Sequence, residues 1–199
     1  MATERLTNRL AALGMIRSPE QYRLRPDGPG AVLDVGCGRA KHPGATGIDI
    51  SPDTDADLVL DLDRTPYPLG DGSFDQILCQ DVLEHVQRPL EVLAELHRIG
   101  RSGARIHLRT PHYSSVLAYG DPTHVRAFSA MTIRSLEEPL FEHYTKARFR
   151  VIDVTLDFWD PLRWIGVARL ANRFQSTYEM LFAFRFPAMN IRATLEILK

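Results

Sequence analysis

Cysteine is scarce, with two in 199 residues, Cys37 and Cys79. That excludes a disulfide framework and leaves both as reduced thiols at strand ends, as expected of a cytoplasmic protein. Net charge is almost absent too: 24 Lys and Arg against 25 Asp and Glu leave −1. A nucleic-acid binder carries a basic surplus, so nucleic acid is not expected as a partner. No uncharged run approaches the roughly 20 residues of a membrane-spanning helix. The first residues mix charge with leucine and lack the apolar stretch of a secretory signal. No internal repeat or low-complexity tract divides the chain, so a single domain over 1–199 is expected. The remainder is 44% apolar and 25% charged, an ordinary balance in a chain long enough for a real core.

Within that ordinary composition one stretch stands out. Ala31 to Val35 is a short apolar run of the kind buried on both faces of a parallel sheet. Gly36 and Gly38 then let the backbone turn sharply and let a ligand lie against it. A second short strand, Ala45 to Ile50, places Asp49 at its end, where a carboxylate can accept hydrogen bonds from both hydroxyls of a ribose. A dinucleotide fingerprint would need glycine at position 41, and Lys41 stands there. Only Arg39 to Gly44 separates the turn from the second strand, too few residues for the usual crossover helix.

Val32-Leu33-Asp34-Val35-Gly36-Cys37-Gly38 resembles the first motif of the class I S-adenosylmethionine-dependent methyltransferases, in a subgroup with a shortened first loop. The resemblance covers about residues 31 to 111. It implies an α/β, Rossmann-like fold: a mostly parallel seven-stranded sheet, helices on both faces, and an antiparallel last strand slipped between strands five and six. The first crossover helix is expected to be shortened or absent. It implies S-adenosylmethionine as cofactor and S-adenosylhomocysteine as product. The cofactor contacts carried over are Asp34, Gly36, Cys37 and Gly38 at the methionine end, and Asp49 with Ile50 at the ribose. At the adenine stands Asp61 or Asp63, with Leu62 between them. Gln80 and Asp81 border the methyl group, although Asp81 reads equally as a helix cap, and Asp34 also as an acid holding the loop.

The chain divides into a helix and connector (1–28), a cofactor-binding half (29–111) and an acceptor-side half (112–199). Residues 3–16 place Leu6, Leu10, Leu13 and Ile16 on one helical face. Asp57 to Asp63 reads as a third strand and Gln76 to Gln80 as a fourth. Arg88 to Ile99 reads as a helix with Pro89 in its first turn, and Ala104 to Arg109 as a fifth strand. Ser129 caps a short helix reaching about Glu138, and Arg148 to Trp159 is a sixth strand. Asp160 caps an aromatic helix to about Phe184, either continuous or broken midway, read as core. Its interleaved Arg163, Arg169, Arg173 and Arg185 also fit a membrane surface or a lipid-linked substrate. Asn190 to Leu198 alternates as the last strand.

Methyl transfer needs alignment above all, and a general base only when the nucleophile arrives protonated. His112, His124 and His85 are the candidates, with His112 expected to face the methyl position just past strand five. Asp121 and His124 read equally as stitching their loop together. His112, Asp121 and His124 are of metal-ligand type, but no standard zinc spacing is present, and no metal is expected. The chain therefore reads as a methyltransferase acting on an oxygen or nitrogen of a small molecule, such as a natural product, a sugar or a lipid-linked precursor. The alternatives are a non-catalytic methyltransferase-like partner protein and an enzyme using the same cofactor for other chemistry.

Overall fold

The computed structural model describes residues 28–137 and 144–199. The helix expected over 3–16 and nearly all of its connector lie outside them. Seven strands form one sheet: β1 (Val32–Val35), β2 (Thr46–Asp49), β3 (Leu58–Val59), β4 (Phe74–Gln80), β5 (Gly100–Pro111), β6 (Arg148–Phe158) and β7 (Ala188–Leu198). Their spatial order is β3-β2-β1-β4-β5-β7-β6. β1 to β5 pair in parallel, and β7 runs antiparallel to both β5 and β6. This is the expected arrangement, with the last strand inserted between the fifth and sixth.

The sheet forms where the apolar runs are. Leu33, Ile48, Ile77, Ile106 and Leu108 are at most 1% exposed, as required of strands with no solvated face. β7 instead alternates, burying Ile191, Ala193, Leu195 and Ile197. Helix α1 (Pro89–Ile99) packs its Val92, Leu93, Leu96 and Ile99 inward and touches β5. Leu90 is only partly buried.

No helix joins β1 to β2. Residues 36–45 form a loop whose backbone is held by Gly36 N and Cys37 N donating to Ile48 O, and by His42 N donating to the Asp34 carboxylate at 2.7 Å. The third strand is shorter than the sequence suggests. Its flanking acids turn to local bonds instead of continuing the ladder: Asp57 accepts from Gly47 N and pairs with Lys41, and Asp61 accepts from Asp63 N. The fifth strand begins earlier than expected, at Gly100, and absorbs Gly103 at a φ of 78° without ending.

On the acceptor side the helices are short. α2 (Val116–Gly120) is capped by Ser115, and α3 (Ala130–Arg134) by Ser129, whose hydroxyl accepts from Thr132 N. A 3-10 turn follows over Ser135–Glu137. The aromatic segment is three helices, α4 (Asp160–Trp164), α5 (Val167–Arg173) and α6 (Gln175–Leu181). Trp159, not Asp160, occupies the first cap, with Asp160 and Pro161 already inside the turn. Gly166 at a φ of 83° breaks α4 from α5.

The expectation that this segment is core is overturned. Trp164, Leu170, Met180, Leu181 and Phe184 are each more than 60% exposed. The inward-facing groups include Ala171, Tyr178, Ala183 and two amides that cover the edge of β6. Asn172 Oδ1 accepts from Leu156 N at 2.8 Å and its Nδ2 donates to Leu156 O at 2.9 Å, while Gln175 Nε2 donates to Val154 O at 2.7 Å. Side-chain amides thus satisfy strand groups that would otherwise offer a template to another chain. Among the described residues no helix is long and apolar enough to cross a membrane.

Candidate functional site

In an open parallel sheet, ligands collect beyond the carboxyl ends of the strands where the strand order reverses. Here that point lies between β1 and β4, whose neighbours run outward in opposite directions. The carboxyl ends of β1, β2, β4 and β5 deliver Gly36 to Gly38, Asp49 with Ile50, Asp81 to His85, and His112.

Gly36 and Gly38 both lie in the left-handed region, at φ of 64° and 57°. Their surroundings differ. A Cβ on Gly36 would come within 2.4 Å of Val82 Cγ2, so the β1 loop is pressed against the loop after β4. A Cβ on Gly38 would meet nothing within 4 Å, leaving an open backbone surface that a side chain would fill. Asp49 stands beside it: its Oδ2 accepts from Gly38 N at 2.9 Å and its Oδ1 from Ser51 N at 2.9 Å. Next to it Ile50 is 70% exposed, an apolar side chain left outside the core. These groups fit the adenosyl and methionine parts of S-adenosylmethionine: bare backbone for close approach, a carboxylate at a strand end for a diol, and an apolar wall for a base. Gly36→Ala is expected to cost about 2 kcal/mol or more, combining the left-handed strain of roughly 1–2 kcal/mol with the Val82 contact, as read from the denaturant midpoint.

Asp34, which the sequence left open, holds the loop through His42 N. Cys37 is buried. Burial, with Asp34 and Asp49 nearby, pushes its thiol up to about 11, and burial pushes the Cys79 thiol up as well. Both stay neutral, unlike nucleophilic thiols. Of the two adenine-side acids, Asp63 is committed: its carboxylate accepts from Gln87 N and Arg88 N and so anchors the loop before α1. Asp61 carries only its own turn and a 3.3 Å contact with Arg64.

Asp81 is not a helix cap, since no helix starts until Pro89. It is the one non-glycine residue at positive φ among those described, at 55°, a conformation that aspartate tolerates better than most side chains. Its backbone N donates to Arg109 O, and its carboxylate pairs with the nearly buried Arg109 guanidinium. Arg109 is therefore a structural ion pair, not a free anion receptor. Arg126 likewise donates to Gln87 O. Gln80 ends β4 in register with Arg109.

The three histidines separate. His112, expected to face the methyl position as a base, is completely buried. Its Nδ1 meets Ser114 Oγ at 2.8 Å and its Nε2 meets Glu179 Oε1 at 3.0 Å, so neither ring nitrogen is available to a substrate. Glu179, from α6, was not singled out in the sequence. It also accepts from Ala130 N and Met131 N and so caps α3. Burial raises its carboxyl, but these bonds outweigh it and hold the group below the usual range. An acid within an aromatic, arginine-dotted stretch was the only signal.

His85 and His124 instead meet edge to face, ring centroids 4.6 Å apart. Glu84 lies beside them, 1% exposed, with Oε2 accepting from Thr110 Oγ1 at 3.0 Å. Burial, then the neighbouring Asp81, pushes the Glu84 carboxyl up to about 8, and burial together with His124 lowers His85. Next to this cluster, a cavity of about 380 Å³ is lined by Leu83, Leu93, Val125, Phe128 and Ile133.

Comparison with known proteins agrees with this architecture. Residues 33–108 match a family model described as a methyltransferase domain. A 37.1 kDa protein in transposon TN4556 of Streptomyces fradiae is 30% identical over 122 residues; the match takes in 50% of this chain, and the chain spans about a third (35%) of that relative. Among solved structures, an S-adenosylmethionine-dependent methyltransferase from Archaeoglobus fulgidus superposes with a TM-score of 0.59 at 18% identity, covering 98% of this chain and 94% of that one. A chain from the complex between the Haloferax volcanii Trm112 methyltransferase activator and a methyltransferase gives 0.57 at 16%, covering 99% and 92%.

Proposed function

From the premise that this chain carries the fold and, over residues 33–108, the signature of the class I S-adenosylmethionine-dependent methyltransferases, with S-adenosylmethionine as its cofactor, we propose that it methylates an oxygen or nitrogen of a small molecule. The observation that supports this most is the open backbone at Gly38 beside the Asp49 carboxylate, at the point where the strand order reverses.

In this reading Asp49 accepts from the ribose hydroxyls and Ile50 covers one face of the adenine. Asp61, with Leu62, meets the adenine edge, because Asp63 is spent on the loop before α1. Asp34, Gly36, Cys37 and Gly38 take the methionine end, and Gln80 and Asp81 border the methyl group. The bound cofactor supplies an electrophilic methyl carbon on a sulfonium; the chain's own task is to align the acceptor with it and exclude water. Activation of the acceptor is assigned to the Glu84, His85 and His124 cluster, and His112 serves to hold the floor of the site together. The setting is cytoplasmic, where both cysteines stay reduced.

The exposed apolar side chains of α4 to α6, interleaved with Arg163, Arg169, Arg173 and Arg185, favour an acceptor with a lipid portion presented at a membrane surface. The test is transfer of labelled methyl from S-adenosylmethionine into a cell extract separated into aqueous, lipid and macromolecular fractions. Label in a low-mass aqueous or lipid fraction is expected. Cofactor binding with no movement of label would give the function to other chemistry or to a partner role.

A further inference from the structure

Glu84, His85 and His124 are brought together from two segments, and one ligand atom of each lies within 4.8 Å of those of the other two. Two of these atoms stand out. Glu84 Oε1 and His124 Nε2 are buried and have no hydrogen-bond partner among the described residues. A buried carboxylate oxygen and a buried imidazole nitrogen left in this way cost free energy unless something satisfies them.

The surrounding bonds set what that something is. Thr123 Oγ1 donates to Asp121 Oδ1 at 2.6 Å, so its oxygen is left to accept from His85 Nδ1, 3.0 Å away. His124 Nδ1 donates to Ala118 O at 3.2 Å. Each imidazole thus gives its proton outward and keeps the lone pair of its other nitrogen. Val125 N, bonded to Glu84 O at 2.8 Å, fastens the two segments to each other. Two imidazole lone pairs and the Glu84 carboxyl converge, and a cation bound there would displace the proton that burial favours on that carboxyl. Imidazoles oriented by a carbonyl and by a hydroxyl–carboxylate relay are how proteins prepare metal ligands.

We propose that Glu84, His85 and His124 bind a divalent transition cation, of the zinc or manganese class, on the acceptor side of the site. Two imidazole nitrogens and one carboxylate oxygen suit those ions and not the all-oxygen preference of magnesium. Three protein ligands leave a coordination position open. Resting on the methyltransferase reading, that open position takes an acceptor hydroxyl and makes it more acidic. Its proton leaves to solvent as the oxygen bonds the methyl carbon, and the carbon–sulfur pair stays on sulfur.

The chelator-stripped full chain is titrated with zinc and manganese chlorides by calorimetry, and with cobalt(II) by visible absorption. One equivalent is expected for at least one of these ions, with cobalt bands of a low-coordinate nitrogen and oxygen site. His85→Ala and His124→Ala should each weaken binding about 10–100-fold, as ligand loss does at such sites. Thr123→Val, which keeps all three ligands, should weaken it less. His97→Ala, on α1, should leave it unchanged. Absence of binding at millimolar metal, or binding that the histidine variants do not alter, overturns the site. Melting curves of each variant separate misfolding from ligand loss. S-adenosylmethionine affinity is measured on the same stripped protein: cofactor binding without metal binding removes the cation and keeps the methyltransferase reading, and the reverse result does the opposite.

Discussion

Asp49→Ala is expected to weaken S-adenosylmethionine binding about 100–1000-fold by calorimetry. The carboxylate stands at the end of β2 with both oxygens already fixed, one by Gly38 N and one by Ser51 N. It needs no reorganisation to receive a diol. Hydrogen bonds to a charged group contribute about 1.5–3 kcal/mol each, and losing two corresponds to roughly 3–4 kcal/mol or more, which is that range in dissociation constant. Asp49→Asn separates charge from shape: it keeps one acceptor and should fall between alanine and wild type. The fold should survive, because Asp49 is only partly buried and its loop has independent anchors at Asp34 and Asp57. A melting temperature close to wild type alongside lost affinity is the expected pair of results. Unchanged affinity would move the ribose contact elsewhere.

The second large effect is on stability. Glu179→Ala should destabilise the fold by about 3 kcal/mol, because three groups lose their acceptor at once: His112 Nε2, Ala130 N and Met131 N. His112 and Ala130 are essentially inaccessible to water, and each unsatisfied buried donor costs about 1–3 kcal/mol. For a chain of this size the melting temperature should fall by about 6–12 °C. Glu179→Gln keeps an acceptor and should lose about a third of that. The carboxyl is held below its ordinary range by the bonds that outweigh its burial, so its share of stability is full above the usual glutamate range. It is lost as pH falls from there through the lowered folded value. The alanine variant should therefore show a shallower loss of stability on acidification. His112→Ala should mimic the stability loss, and retained turnover in the folded fraction would confirm that it positions and does not catalyse.

These two residues mark what the sequence could and could not convey. The position of Asp49 was legible because its surroundings are local: an apolar strand, a glycine turn and a second strand lie within 20 residues. β7 was legible through alternation alone, and the missing first crossover helix through the mere count of residues between Gly38 and Ala45. Glu179 was not, because its partners are His112 and Ala130, distant in sequence and joined only when α6 packs beside β5 and α3. His112 was misread for the same reason: a histidine after a strand end looks catalytic until its two partners are known. The exposed aromatics of α4 to α6 were misread because periodicity reports an apolar face, not whether anything covers it.

The slot occupied by β7 has a consequence for how the molecule is made. β5 and β6 do not touch through their own ladders; β7, ending at Leu198, joins them. A ribosome that has completed β6 at Phe158 must still add roughly 40 residues, a few seconds at about 5–20 residues per second, before the joining strand exists. For that interval β5 presents an open row of donors and acceptors to neighbouring nascent chains. Yield in cells should respond to chaperone supply and synthesis temperature more than the melting point of the finished protein would suggest.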